Sequence, residues 1–269
     1  DPTDFHRSAL LIGLKEEQTT GYNPIKLGVI ASTDTHVSNP GNVKESDWAG
    51  SVVGEGTPVE RLQKGILTSG IDGNPGGLAG IWAEQNTRDS IFNALLRKEV
   101  FGTSGPRIRP RFFAGWNINE NLCNVNEMIS DAYASGVPMG GDLMPSRSKS
   151  FPKFLMHAAK DPEGLNIESI QLVKGWIDEE GNMNTKVIPV LSEIGGAESL
   201  CKVYTDTEFE NSLPSYYYMR VVEPKSPRWH TYDCERLSED DRPDVCTNET
   251  YPSFIREMAW TSPIWYRPE

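Results

Sequence analysis

The stretch that decides the expected fold is residues 26–36, with the sequence KLGVIASTDTH. Its first half is apolar and partly β-branched, a composition typical of a buried strand. The run ends in Asp34 and His36, which project to the same side of an extended backbone because they are two residues apart. A carboxylate and an imidazole directed at one point suit a divalent ion such as zinc or manganese. The sequence therefore predicts a strand with a metal site at its C-terminal end.

A simpler interpretation of the same residues stays open. In it, Asp34 caps the following turn and His36 is a loop histidine, as an Asp-x-His pattern taken alone usually indicates. Residues 37–56 form a long stretch rich in Gly, Asn and Ser. Long loops that follow strand ends commonly form the walls of active sites, and this context favours the metal interpretation.

The overall charge limits the classes of partner. The chain has 269 residues and a formal net charge of -12. Binding to a phosphate backbone needs a basic surface, so we expect no nucleic-acid partner, and a nucleic-acid enzyme fits this composition poorly. No apolar stretch approaches the ~20 residues of a membrane span. Small anionic substrates remain compatible with the charge if local cations or metal ions reverse the field.

The four cysteines lack the C-x-x-C spacing of zinc ribbons and redox sites. Cys234 and Cys246 bracket a polar, acidic loop that contains proline, and we predict a disulfide between them. Such a bond indicates an oxidising compartment. The alternative is two unrelated thiols.

Three segments are expected along the chain. In residues 1–111 a helix, with Asp4 as its N-cap, precedes the strand that ends at Asp34, an order typical of α/β units. In residues 112–222, short strands separated by turn signals indicate a β-sandwich. Residues 223–269 form an irregular tail, rich in Pro, Trp and Arg, that packs back on the body. The predicted strands of the middle segment are Lys153 to Ala159, Ile167 to Ile177, Thr185 to Leu191, Leu200 to Tyr204 and Tyr216 to Val222.

A turn of small residues follows a predicted strand at residues 100–106. Exposed backbone amides in such a turn can hold an oxyanion, although a plain tight turn explains the pattern equally well. Arg107 lies nearest the turn, and a guanidinium recognises phosphate or carboxylate oxygens in bidentate fashion. Arg109 and Arg111, on the same face, are better explained as partners of structural carboxylates. The residues that we predict to contact a substrate anion are Thr103, Ser104, Gly105, Arg107 and Arg88.

Several motifs in order resemble the bacterial family known as domain of unknown function 3604. They are Ser32 to His36, Trp82 to Arg88, Arg97 to Arg107, Val173 to Trp176 and Ala259 to Tyr266. The similarity spans essentially the whole chain. Together with the predicted Cys234–Cys246 disulfide, the secreted members of that family imply a periplasmic or secreted location. That family looks like a branch of the polymerase-and-histidinol-phosphatase (PHP) superfamily, close to the carbaryl-hydrolase-like metallohydrolases.

The resemblance implies the C-terminal part of a distorted (β/α)7 barrel with two or three metal ions at the C-terminal ends of its strands. The last ligand pair of that cluster falls on Asp34 and His36. The family's His-x-His is missing, because this sequence has only four histidines and none of them are two residues apart. We therefore expect the N-terminal barrel half of the same protein, or a second chain, to supply the other ligands.

The function expected from these observations is that of a metal-dependent hydrolase. Zinc, manganese or iron ions would activate a water that attacks a small phosphoester, carboxylic ester or carbamate substrate. The alternative is a non-catalytic binding or structural module that recognises a polysaccharide or a protein through the β-sandwich. A His-x-His upstream of this sequence would favour the enzyme.

Overall fold

The computed structural model describes residues 5–66, 69–146 and 150–268, and the expected cap Asp4 lies outside them. The helices are α1 (His6–Thr20), α2 (Pro58–Arg61), α3 (Arg88–Leu96), α4 (Met128–Ser135) and α5 (Trp229–Arg236). The caps of two of them follow local sequence rules. The Thr57 side chain accepts from the Glu60 amide while the Glu60 side chain accepts from the Thr57 amide, and the Thr87 side chain accepts from the Ser90 amide.

Twelve strands are found among the described residues. The first six are β1 (Leu78–Ile81), β2 (Val100–Thr103), β3 (Arg109–Gly115), β4 (Val137–Pro138), β5 (Asp142–Leu143) and β6 (Lys153–Ala159). The others are β7 (Ile167–Ile177), β8 (Met183–Ala197), β9 (Ser199–Thr205), β10 (Ser215–Pro227), β11 (Phe254–Thr261) and β12 (Ile264–Tyr266).

The larger sheet has eight strands and is built around β10. On one side β10 pairs with β7, from Ser215 opposite Trp176 to Val222 opposite Ser169, and β8 lies beyond β7. On its other side β12 pairs with the first part of β10 and β11 with the last part. Next to β11 come β2 and β1, and β5 joins β12 in parallel orientation. The smaller sheet has the order β4, β3, β6, β9.

The two sheets pack face to face around the main hydrophobic core. The ring of Phe154 in the smaller sheet lies 4.6 Å from that of Tyr217 in the larger sheet, measured between centroids. Fully buried side chains from both faces surround this contact, and they include Phe112, Met156, Leu172, Met219 and Val221. Alternate residues of each strand point into this layer, as the two-residue period of a strand requires.

Helices cover the outer faces of both sheets. Leu10, Leu11 and Leu14 of α1 pack on the far side of the larger sheet, against Tyr216 and Tyr218 among others. On the far side of the smaller sheet, α4 and the loop before it cover Phe113, Leu155 and Val203. Each sheet therefore buries both faces, which explains the nearly continuous burial along β6, β7 and the first part of β10.

The expected fold was wrong in its first segment, because the described residues contain no barrel. A (β/α)7 barrel needs parallel strands joined by helical crossovers, whereas nearly all the strand pairs here are antiparallel. Residues 26–35, where the first strand was expected, are assigned to no strand or helix. The tail is not irregular either, since β11 lies between β2 and β10 within the larger sheet. Strands from all three expected segments thus share one sheet.

The long loop after His36 is held against α5. Arg61 of α2 donates to both carboxylate oxygens of Asp233, at 2.8 and 3.1 Å. The ring of Trp48 packs on that of Trp229 with their centroids 4.5 Å apart. The Glu45 carboxylate accepts from the Trp229 amide. These contacts fix the loop beside the last part of β10 and the turn after β2, where the cavity described below lies.

Candidate functional site

Asp34 and His36 lie together at the protein surface. Their side chains are 91% and 66% exposed, and Asp34 Oδ1 lies 3.7 Å from His36 Nε2. Asp34 has a φ of 50°, a left-handed conformation that few residues other than glycine adopt. The His36 amide donates to the Ser51 carbonyl at 2.7 Å, so the long loop fixes the backbone at this point. The two predicted ligands are thus close together, although the segment that carries them is not a strand.

A third metal ligand does not accompany this pair. Among the residues that the structure describes, no three His, Cys, Asp or Glu side chains are grouped so that they could hold a metal ion. The donor set of one carboxylate and one imidazole suits zinc, manganese or iron, but it supplies only two ligands.

The turn after β2 is held tightly by its neighbours. The Ser104 amide donates to the Met258 carbonyl, the Gly105 amide to Thr103 Oγ1 and the Arg107 amide to Asp161 Oδ2. The amides of Ser104 and Gly105, which we expected to hold an oxyanion, are therefore occupied by hydrogen bonds within the protein. The Ser104 hydroxyl accepts from the Met258 amide at 2.8 Å and donates to Glu257 Oε2.

The predicted cationic contacts are spread over the surface. The Arg107 side chain is exposed at the rim of a cavity beside the turn, and Arg88 is exposed at the start of α3. Arg88 does not line that cavity. The guanidinium of Arg111 stacks on the Trp82 ring, 3.2 Å from its centroid. Contact of Arg107 or Arg88 with a substrate anion stays a prediction.

A pair of buried glutamates beside the turn was missed by sequence reasoning. The pairing of β10 with β11 shifts register between Val222 and Lys225, so that Glu223 and Pro224 lie opposite Glu257. Such a β-bulge redirects a side chain, and proline inside a strand is a sequence signal for it. Glu223 is 1% exposed and Glu257 is 6% exposed. Glu223 Oε1 has no hydrogen-bond partner within the described chain.

Two more carboxylates, those of Glu45 and Asp161, lie near this pair. Burial raises the pKa of Glu45 to about 7, and the charge of Glu257 adds to the shift. Burial likewise raises the pKa of Glu223 to about 7, with contributions from the charges of Glu257 and Asp161. The pKa of Glu257 is also raised by burial. Burial opposes ionisation of Asp161 as well, but the amides of Arg107 and Glu163 donate to its carboxylate and lower its pKa.

A cavity of about 290 Å³ opens onto three of these four carboxylates. Its polar wall includes Glu45, Asp161 and Glu257, and the turn residue Gly105 lies next to Glu257. Its apolar walls are Val43, Pro106, Pro227 and Tyr232. The arrangement is a concave site with several carboxylates at one end and apolar side chains around it, which suits a small organic ligand better than a large one.

Two disulfides tie loops to the body. Cys234 of α5 is bonded to Cys246, the pair that the sequence singled out. Cys123 is bonded to Cys201 of β9, and nothing in the spacing of these two cysteines indicated the bond. No described helix has the length and apolar character that crossing a membrane requires.

The fold is that of a largely antiparallel β protein with helices on the outer faces of its sheets, and Asp34 and His36 lie on its surface. A family model described as a protein of unknown function, DUF3604, matches residues 1–194 and 190–268. The chain therefore belongs to this family. No curated protein and no solved structure matched the chain.

Proposed function

We propose that this chain contributes two ligands to the metal site of a metal-dependent hydrolase that acts on a phosphoester, a carboxylic ester or a carbamate. The observation that supports the proposal is the approach of Asp34 Oδ1 to within 3.7 Å of His36 Nε2 on an exposed surface. Two ligand atoms about 2.1 Å from one tetrahedral zinc ion lie about 3.4 Å apart, so the pair needs only a small adjustment to share an ion.

The backbone at Asp34 adds support. A left-handed φ at a residue other than glycine costs free energy, and such conformations are concentrated at functional sites. The loop that begins at Val37 returns to His36 through the Ser51 carbonyl, which restricts the backbone that carries the imidazole. Asp34 and His36 would hold zinc, manganese or iron, and the bound ion would supply an activated water and stabilise developing negative charge.

The remaining ligands of this two- or three-metal site would come from residues outside this chain. Large apolar side chains are left uncovered on the extended segment before Asp34 and on α3, and exposed apolar surface of this kind marks contact sites. They are Leu27 (63% exposed), Ile30 (57%), Phe92 (58%), Leu95 (45%) and Leu96 (64%). A further segment of the same protein, or a second chain, that covers these residues could bring the missing ligands to Asp34 and His36.

The relationship to the PHP and carbaryl-hydrolase-like metallohydrolases stays a prediction that rests on sequence motifs. We also propose a periplasmic or secreted location, because the two disulfides are compatible with an oxidising compartment.

The test uses the protein purified from its native source at its natural length, and a His36→Ala variant. We expect bound zinc, manganese or iron by elemental analysis and turnover of p-nitrophenyl acetate or p-nitrophenyl phosphate. His36→Ala should lose metal and lower turnover by about 100-fold or more, beyond the roughly 10–100-fold loss typical of an outer-shell partner.

The matched control is His6→Ala, since His6 is also an exposed histidine but is remote in sequence from the pair. It should keep both metal and activity. Full turnover by His36→Ala, or a native protein without metal, would overturn the proposal. The latter outcome would favour the alternative, a non-catalytic module that binds a polysaccharide or a protein.

A further inference from the structure

We propose that a second cavity, between the outer strands β1 and β4 of the two sheets, binds a small organic monocarboxylate with a body about the size of a six-membered ring. The carboxylate would contact the guanidinium of Arg111, and we call this space the Arg111 cavity. This inference is independent of the metal site, because it uses neither Asp34 nor His36. The lining residues on which it depends are Trp82, Arg97, Glu99, Arg111, Tyr133 and Pro138.

The Arg111 cavity is built by several elements of the fold. Trp82 directly follows β1, Arg97 and Glu99 lie between α3 and β2, Arg111 lies on β3 and Tyr133 on α4. The cavity has a volume of about 650 Å³, which lies within the range of small-molecule sites. Two of the sequence motifs that resemble the family, the one that starts at Trp82 and the one that starts at Arg97, therefore meet at one concave surface.

The first argument is that Arg111 is held in place without an ion pair. Its guanidinium carbon lies 3.2 Å from the centroid of the Trp82 ring, and Trp82 Nε1 donates to the Pro110 carbonyl at 2.9 Å. Arg111 Nη1 lies 3.5 Å from Tyr133 Oη, and Arg111 forms no ion pair with a carboxylate of the described residues. We expected a structural carboxylate here, and none is found among them. The half-buried guanidinium therefore has N–H donors available at the cavity wall.

The second argument is that the buried carboxylate of this cavity is engaged by other groups. Glu99 Oε1 accepts from the Tyr133 hydroxyl, and Glu99 Oε2 lies 3.5 Å from Arg97 Nη2. Burial and the contact with Glu99 raise the pKa of Tyr133 to about 12, so its hydroxyl stays protonated near neutral pH. Arg97 offsets the charge of Glu99. Arg111 is then the cation that is left over, and Tyr133 and Glu99 connect it to Arg97 through a continuous series of contacts.

These charges favour a ligand with a single negative charge. A carboxylate can accept two parallel N–H bonds from one guanidinium and matches the charge of Arg111. A phosphate dianion would bring a second negative charge close to the buried Glu99, which opposes its binding. Glu84 also lines the cavity, but it is exposed, so water screens its charge.

The rest of the wall suits an apolar body of limited size. Tyr133 is 43% exposed, and the edge-to-face contact of its ring with Phe113, at 4.8 Å between centroids, fixes its position. Trp82 and Pro138 are half-buried and line the same cavity. A ring-sized body attached to the carboxylate would therefore remove apolar surface of these side chains from water while its charged end contacts Arg111.

The experiment is a calorimetric titration of the native protein with sodium benzoate and with sodium cyclohexanecarboxylate, at neutral pH and low salt. The two probes carry the same charged group on a flat and on a puckered ring. Benzamide serves as the neutral ligand of nearly the same shape, and inorganic phosphate serves as the anion without an apolar body. We expect at least one carboxylate to bind at one site per chain, and benzamide and phosphate to bind at least about tenfold more weakly.

Three variants identify the site. Arg111→Gln should weaken binding of the carboxylate by about tenfold or more, since it removes a charge-assisted contact. Arg97→Gln leaves the charge of Glu99 without its partner and should weaken binding by about fivefold. Arg109→Gln removes the same charge from an exposed residue of β3 that does not line the cavity, so binding should stay within about twofold of the wild type. Circular dichroism identifies variants that fold. If Arg111→Gln fails to fold, Arg97→Gln, at an exposed position, still tests the site.

Four results would overturn the proposal. Equal weakening by Arg109→Gln and the two cavity variants would mean that the positive charge of this surface as a whole attracts the anion. Binding of benzamide as tight as that of benzoate would mean that the ring alone is bound. Tighter binding of phosphate than of either carboxylate would make this a different kind of anion site. No binding of either carboxylate at tens of millimolar concentration would mean that Arg111 has a structural role only.

Discussion

Asp233 connects the long loop to α5 through one carboxylate. It is 1% exposed, and it accepts from Nε and Nη2 of Arg61 and from Nη1 of Arg236. Arg61 is also buried and donates its remaining nitrogen to the Glu55 carbonyl. Such a pair compensates the desolvation of both charges only while both partners are present. The position of the loop beside the cavity therefore depends on this residue.

Asp233→Asn should be strongly destabilising. The amide keeps the shape of the side chain but leaves the buried Arg61 guanidinium without its negative partner, a change that typically costs about 3–5 kcal/mol. Urea unfolding measures this loss of free energy. Asp131→Asn, at an exposed position on α4, should change the free energy of unfolding by no more than about 0.5 kcal/mol. Similar losses in both variants would contradict the role assigned to the Arg61–Asp233 pair.

Residue patterns alone could not reveal the glutamate cluster. Glu223 and Glu257 are distant in sequence, and only the pairing of β10 with β11 brings them together. Pro224 was the available signal, because a proline within a strand marks an edge or a bulge. Asp34 and His36 were easier to single out, since they are only two residues apart in the sequence, and their side chains do lie 3.7 Å apart at the closest atoms.

At the scale of elements, local signals predicted the well-packed strands best. Runs of β-branched and aromatic residues between turn signals gave the bounds of β6 and β7 as they are observed. The expected strand at residues 26–34 has the same composition but is not one. Its Val29 amide donates to Ser262 Oγ and its Ser32 carbonyl accepts from the Gly77 amide, rather than pairing with a neighbouring strand. Composition indicates extended backbone, but a strand also requires a partner of matching register.

The two disulfides should differ in their effect on stability. Cys123 and Cys201 are 78 residues apart, whereas Cys234 and Cys246 are 12 apart. From loop-closure entropy, removal of the Cys123–Cys201 bond should lower the free energy of unfolding by about 4.5 kcal/mol, and removal of the Cys234–Cys246 bond by about 3 kcal/mol. Urea unfolding of the two Cys→Ser double variants gives the order. As a control, the wild-type protein under reducing conditions, with both bonds broken, should be less stable than either variant under oxidising conditions. A larger loss of stability without the Cys234–Cys246 bond than without the Cys123–Cys201 bond would contradict the prediction.

For the whole molecule, strand order was beyond what the sequence could show. The predicted division placed residues 100–103, 215–222 and 254–261 in three segments, whereas they belong to strands β2, β10 and β11 of one sheet, in which β11 lies between the other two. Pairing between distant strands depends on the packing of the complete sheet rather than on any local pattern. The family motifs identified the family correctly, but the barrel implied by its proposed relatives was wrong.

Stability should depend on pH through the buried glutamates. The pKa of Glu223 is about 7 in the folded protein and 4.5 in the reference state, so the folded state binds more protons between these values. The contribution of Glu223 to the free energy of unfolding is therefore complete below about pH 4.5 and is lost as the pH rises through about 7. The pKa of His230 is lowered to about 4 by burial and by the charge of Arg228, so its contribution rises with pH between about 4 and 6.5.

A comparison of Glu223→Gln with the wild type isolates the glutamate. The stability of the variant relative to the wild type should improve on going from about pH 5 to about pH 8, by an amount on the order of 1–3 kcal/mol. Urea unfolding at both pH values measures the difference, from which the His230 contribution cancels. A difference that is the same at both pH values would contradict the prediction.

The outer strand of the larger sheet has a consequence for solubility. In the described sheet β8 pairs only with β7, so its other side offers backbone groups to which another chain could add a strand. Pro189 lacks an N–H, and the ladder with β7 shifts register beside it. In a parallel copy paired in register, the exposed charges of Lys186 and Glu193 would each meet a like charge. These features discourage aggregation through this edge, although the strand is long.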